Sequence, residues 1–424
     1  MDLLSFLNAS HSRFHAAAAL AADLDKAGYT RLSECDDWDL VPGGKYYVTR
    51  NSSALMAFRL PCLSFKGFMI SASHSDSPTF QIKENAELET SDGYIRLNVE
   101  RYGGMLCSPW LDRPLTVAGR VLVKAGDNIE TRLVYVDKDL LMIPNVAIHM
   151  NRKANDGYTY DAKTDMLPLM GLKDSKGAFK ALVAEAAGCK SEDILGQDLF
   201  LCIREPGRVW GAGDEFVSSG RLDDLQCAYG CYQGFLAAKD TVSVPIFGLL
   251  DNEEIGSLTK QGADGTFLSD VIDRICASTG KSRTVALANS FLVSADNAHA
   301  VHPNHPEYTD ASHRPMPNGG VVVKHGVHYA SDGPSQAVFV AVCEKAGVPV
   351  QQFSNRSDLA GGSTLGNIAN AHTSLNTVDI GLAQLAMHSC YETAGSKDTD
   401  YLVKAMTTFY STSLMEKDGV FTLE

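Results

Sequence analysis

The sequence predicts an α/β protein in which a layered α/β domain, built from both ends of the chain, is interrupted by a β-rich insertion. At 424 residues the chain is too long for one ordinary core, so two domains are expected. From about residue 218 onward, charge-free apolar strands alternate with helices, the mark of a layered sheet. Between about 79 and 217 the character changes to β-branched, half-alternating segments. The expected division is 1–78 and 218–424 for the two parts of the layered domain and 79–217 for the insertion.

In chain order, the alanine-rich run from Phe14 to Ala22, closed by Arg13 and Asp23, reads as an amphipathic helix. "ALMAFRL" and "GFMISAS" come next as buried strands, the second leading into "HSDSP". "YIRLNVE", "LTVAGRVLV" and "TRLVYVD" read as strands of the insertion, with one helix at "KGAFKALVAEAAG". The glycine-rich passage "PGRVWGAGDEFVSSG" separates the insertion from the second part of the layered domain. Beyond it come the helix "RLDDLQCAYGCYQGFLAAK", the strands "VPIFGLL" and "SFLVSA", and the helix "SQAVFVAVCEKAG".

Composition excludes several classes of function. No apolar stretch reaches the roughly 18 residues needed to cross a bilayer, and no export signal is found, so a cytoplasmic protein without a membrane partner is expected. The formal net charge of -14 opposes nucleic-acid binding, and no basic run compensates for it. The 10 cysteines are scattered without a CxxC pair and read as reduced thiols. Cys227 and Cys231, one helical turn apart, fit a buried helix face better than a metal site.

Chemistry concentrates after apolar strands. His74 and Asp76 follow "GFMISAS", Glu253 and Glu254 follow "VPIFGLLDN", and Asp296 follows "FLVSA"; ligand sites of open α/β sheets form outside the carboxyl ends of such strands. Two histidines and three carboxylates are a suitable inventory for two divalent ions: His74 and Asp296 for one, His388 and Glu254 for the other, with Asp223 bridging. Each residue also has a plainer reading. Asp223 and Asp224 suit a helix N-terminus, the Glu253–Glu254 pair a solvated turn, and His388 an apolar stretch that buries a structural histidine. Spacing alone leaves His388 undecided. His299, His302 and His305 could form a separate metal tract, but their prolines favour a loop in which at least one histidine contacts substrate or supports a ligand.

Taken together, "SASHSDSP", "YGG" with "PWLDRPLTVAGRV", "IPNVAIHMNR", "GRLDDL", "DNEEIGS", "VSADNAHAVHPN", "GGSTLG" and "LAMHS" closely resemble the aspartyl aminopeptidase family of dinuclear zinc peptidases over essentially the whole chain. The resemblance implies metal ligands at His74, Asp223, Glu254, Asp296 and His388, with Asp76 orienting His74 and Glu253 as general base. It implies a split metallopeptidase domain, an inserted dimerisation domain, and a homo-oligomer that is a dodecamer built from dimers. It further implies that His149 reaches a neighbouring subunit's active site and that Lys324 receives an acidic side chain; the third substrate contact expected is His299. Asp224, Gly361 and Asn367 stand where asparagine, cysteine and proline are commoner, departures that bear on substrate preference and leave the metal set untouched.

The activity implied is removal of one N-terminal residue, Asp or Glu by preference, from peptide substrates. A hydroxide shared by two ions would attack the scissile carbonyl with Glu253 as base. Zinc follows from the family, with manganese or cobalt also compatible with histidine and carboxylate ligands. Two other readings compete: a dinuclear deacylase of small N-acyl compounds, and a non-catalytic assembly or peptide-binding protein on the same scaffold.

Overall fold

The computed structural model describes residues 1–424 apart from 360 and 363, so Ser363 of the "GGSTLG" block lies outside the described residues. Among the described residues, a nine-stranded sheet runs in the order Thr30–Arg31, Gly44–Arg50, Ala54–Leu60, Val244–Leu250, Phe68–His74, Phe291–Ala295, Asn376–Gly381, Val321–His325, Val350–Ser354. Strands from both ends of the chain are thus interleaved. Phe68–His74 lies parallel to Val244–Leu250 on one side and to Phe291–Ala295 on the other, and Phe291–Ala295 is parallel to Asn376–Gly381. His74 stands opposite Leu250, and Ala295 opposite Ile380, so the segments that leave these strands emerge at one edge of the sheet.

Strands buried on both faces need apolar residues at every position, and period-2 alternation then divides those residues between two layers of helices. Phe247 and Leu249 join the core containing the helices Leu222–Ala237, Gly333–Ala346 and Asp398–Tyr410. Val244, Ile246 and Leu250 join the core under Phe267–Thr279 and Leu365–Thr373. Helix Leu222–Ala237 packs closely on Asp398–Tyr410 because Gly230 and Gly234 face it; a Cβ at Gly234 would sit 2.5 Å from the Met406 Cβ. Cys227 and Cys231 are fully buried in this layer, as their spacing suggested.

Residues 79–203 supply a six-stranded sheet in the order Asn128–Tyr135, Leu115–Ala125, Ile194–Ile203, Thr79–Glu89, Tyr94–Tyr102, Leu169–Leu172. Its apolar side chains form a separate core with Phe179 and Val183 of the helix Ala178–Ala187, joined by Cys390 from the last part of the chain. The glycine-rich passage is more than a separator: Arg208–Trp210 and Phe216–Ser219 are strands, and the second pairs with Glu392–Gly395. "RVW" and "FVSS" carry enough apolar and β-branched residues to make a ladder despite the intervening glycines. No helix among the described residues is long and apolar enough to cross a membrane.

Candidate metal centre

His74 ends its strand with its side chain 1% exposed. Its Nδ1 donates to the Asp76 backbone carbonyl at 3.0 Å, which leaves Nε2 as the nitrogen with a lone pair facing the cavity. That Nε2 lies 3.4 Å from Asp223 Oδ1 and 3.9 Å from Asp296 Oδ1. His388 Nε2 lies 3.6 Å from Asp223 Oδ2 and 3.5 Å from Glu254 Oε2. The two oxygens of Asp223 therefore face two different histidines. Ligand atoms of His74, Asp223 and Asp296 lie within 4.8 Å of one another, as do those of Asp223, Glu254 and His388, and those of His74, Glu253 and Glu254.

The local backbone explains how these side chains are aimed. Asp223 and Asp224 depart from helical φ/ψ in the first turn of the adjoining helix, and Asp224 Oδ2 accepts the His74 N–H at 3.1 Å. Asp76 meets the His74 ring with both its backbone carbonyl, at 3.0 Å from Nδ1, and its carboxylate, whose Oδ1 stands at 3.4 Å. The same carboxylate also serves a second segment: Oδ1 accepts the Glu253 N–H at 3.1 Å and Oδ2 the Glu254 N–H at 3.2 Å. Tyr102, from the insertion, donates its hydroxyl to Asp76 Oδ2 at 2.7 Å. Gly103 beside it has φ +77°, and a Cβ there would lie 3.1 Å from the Glu254 Cβ.

His388 is neither on a helix nor buried. It lies in a turn with φ +65° and a side chain 36% exposed, while its N–H is accepted by Glu392 at 2.8 Å. Lys324 is 3% exposed, with Nζ 3.4 Å from Asp296 Oδ2. Burial disfavours its charge, but Asp296 and Tyr329 hold its pKa above the ordinary lysine value. The same pairing acts on Asp296: burial would raise its pKa, but Lys324 and His74 hold it well below the carboxylate range. Glu253, Lys324, His299, Tyr329 and Thr364 line a cavity of about 140 Å³ together with the cage.

Other sequence candidates fall outside this cluster. His302 accepts from the Asn304 N–H and His305 pairs with Glu307, both in an exposed turn. They do not form a metal tract with His299, which sits at the cavity. His149 does not line the cavity either; it is exposed in the insertion beside Val146, Ile148 and Met150. Tyr102 and Glu392 were not found by sequence reasoning, although the "YGG" block and the four-residue spacing from His388 mark their positions. Arg13, whose guanidinium lies 4.1 Å from the Tyr102 ring centroid and pairs with Asp251 at 3.1 Å, left no sequence signal.

The donor set fits cations. Asp223 Oδ1 and Glu254 Oε1 are buried without a hydrogen-bond partner, a costly arrangement for carboxylates unless positive charge reaches them. Burial pushes Glu253 up to about 8; His74 opposes this, while Asp296, Asp76 and Asp223 add to it. Burial and Asp223 likewise raise Glu254 well above its ordinary value. Four carboxylates around two imidazoles favour divalent ions, which would keep the acids ionised and the histidines neutral.

Mixed histidine and carboxylate donors at the carboxyl edge of an α/β sheet define a candidate divalent-metal site of the kind metalloenzymes use. A family model described as aminopeptidase I zinc metalloprotease (M18) matches residues 6–410. The Probable M18 family aminopeptidase 2 of Clostridium novyi (strain NT) is 43% identical, over 97% of this chain and 98% of that protein. A chain in the cryo-EM structure of the Ape4 and Nbr1 complex superposes with a TM-score of 0.93 at 35% identity, covering 97% of this chain and 85% of that one. The structure of the S. cerevisiae mApe1 dodecamer gives 0.84 at 30% identity, covering 96% and 95%. The chain belongs to the M18 family and is a zinc metallo-aminopeptidase.

Proposed function

We propose that this enzyme removes a single N-terminal residue from peptides, with a preference for Asp or Glu. The observation that carries the reading is the Asp223 carboxylate, whose two oxygens face His74 and His388 at the base of a cavity of about 140 Å³. A dinuclear centre is read from it: His74, Asp223 and Asp296 would hold one ion, and Asp223, Glu254 and His388 the other. Zinc is assigned from the family, with manganese and cobalt compatible. Bound divalent ions supply the Lewis acidity that polarises a carbonyl and acidifies water.

Glu253 acts as general base, taking a proton from the attacking water and delivering it to the leaving amine. Asp76 fixes Glu253 and Glu254 through their backbone N–H groups, and the Asp76 carbonyl fixes the His74 ring. Lys324 and His299 receive the side chain of the first residue, where a charge-assisted contact to a carboxylate is favoured in a dry cavity. His149 completes a neighbour's pocket from the exposed part of the insertion. In this reading 79–217 is a dimerisation domain between catalytic segments 1–78 and 218–424, and the assembly is a dodecamer built from dimers. Cysteines that are all free suit a cytoplasmic setting.

The test is a panel of aminoacyl substrates, with free and N-acetylated amines, run alongside metal analysis. Fast release of N-terminal Asp or Glu from free peptides supports the reading. Preference for N-acetylated compounds would make the enzyme a deacylase, and absence of turnover with both ions bound would make it a binding protein.

A further inference from the structure

Glu392 is 2% exposed, and its carboxylate accepts from two distant parts of the chain. Oε1 takes the His388 N–H at 2.8 Å and Oε2 takes the Asp223 N–H at 3.0 Å. Its position follows from the ladder, in which Glu392 stands opposite Ser219, four residues before Asp223. Gly220 allows this close approach, since a Cβ there would lie 2.8 Å from the Cys390 carbonyl oxygen. His388, four residues before Glu392, has φ +65°, an uncommon conformation for a residue with a side chain, which surrounding contacts must hold.

We propose that Glu392 is a positioning residue for the metal centre: its carboxylate fastens the backbones of Asp223 and His388 and sets the separation between these two ligands. The inference rests on the two-ion reading above. Glu254 approaches from a third segment and is fixed separately by Asp76, so the cage is closed by two carboxylate clamps. Glu392 does the task only as a carboxylate. Glutamine has nearly the same volume but one acceptor, and its amide N–H would face a backbone N–H. The His388 or Asp223 amide would lose its partner, and the ligand on that segment would be free to swing. Partners that orient metal ligands typically alter affinity by about 10–100-fold when removed.

Zn²⁺ is titrated against a chromophoric chelator into the metal-free parent, E392Q, E254Q and the double variant E254Q/E392Q, with oligomer size and the melting temperature of each metal-free protein recorded. E392Q should weaken the ion that E254Q depletes by about 10–100-fold, more than it weakens the other. The double variant should hold its remaining ion within about threefold of E254Q, because both changes act on the same position. Parental affinity for both ions in E392Q overturns the proposal. So does equal weakening of both with a matching fall in the metal-free melting temperature, which a purely structural role would give. If E254Q itself leaves both affinities parental, the two-ion reading fails and the clamp falls with it. Should E392Q not fold, amide exchange in the metal-free parent decides: slow exchange at Asp223 and His388 supports the clamp, and exchange at His388 as fast as at Met387 overturns it.

Discussion

In the metal cage His74 is 1% exposed and each ligand is fastened by groups from other segments; around His149, Met150 is 84% exposed and Val146 is 54% exposed. Both regions carry functional candidates, but they differ in what completes them. The cage is assembled within one chain, where Asp76, Tyr102, Asp224 and Glu392 hold its backbone and side chains. The segment 144–150 places apolar side chains in solvent, which favours burial against another surface. In the proposed reading, one chain supplies every metal ligand, while the exposed segment around His149 is the part that a neighbouring subunit would use.

The largest effect should come from inside the cage. Glu253→Gln should lower turnover by about 10²–10⁴-fold while metal content and assembly stay parental. Steady-state kinetics with elemental analysis checks this; a loss of less than tenfold would remove Glu253 from the role of base.

Ligand changes sharpen the same point. Asp223→Asn should lower occupancy of both ions, and Glu254→Gln mainly one, because Asp223 turns one carboxylate oxygen to each histidine. Equal loss of a single ion in the two variants would contradict the shared role.

The insertion should respond differently. His149→Ala should reduce turnover by up to about 10²-fold with both ions retained. Co-assembly of Glu253→Gln with His149→Ala should restore part of the activity, since some sites then take Glu253 from one subunit and His149 from another. Verified mixed oligomers without recovery would make His149 act within its own subunit. Val146→Asp with Met150→Asp should give smaller assemblies by light scattering while leaving metal content unchanged.

The smallest effect concerns the seam between the two regions. His11 stacks on Tyr135 of the insertion with ring centroids 3.6 Å apart. Burial, followed by the Arg221 charge, lowers His11 to about 3 and His15 to about 4 from the ordinary 6.5. Their folded-state pKa values lie below the unfolded values, so this contribution is complete above about pH 6.5 and is lost as pH falls toward 4 and 3. His11→Phe keeps a stacking ring without a titrating group and should reduce the loss of melting temperature between pH 6.5 and 4. An unchanged acid slope would show that His11 takes up its proton equally in the folded and unfolded protein.

Much of the fold was legible from local pattern. "VPIFGLL" and "GFMISAS" are charge-free runs of strand length, and the structure buries both strands completely. His74, Glu253, Glu254 and Asp296 were visible as candidates because polar residues directly after such strands meet at a common edge. The strands at "RVW" and "FVSS" were hidden by the glycines between them, and the second partner of "FVSS", the strand Glu392–Gly395, lies far along the chain.

The sequence by itself determined which segments would be buried strands and amphipathic helices, because that depends on the period of apolar residues along the chain. It also supplied, through the order of its motifs, the inventory of donors for a metal. Only the tertiary structure decided where His388 points, that Asp76 holds Glu253 and Glu254 as well as His74, and that Tyr102 and Glu392 reach the cage. These are contacts between segments far apart in sequence, formed by the register of parallel strands and by turns with positive φ, and neither leaves a periodic trace in the residues themselves.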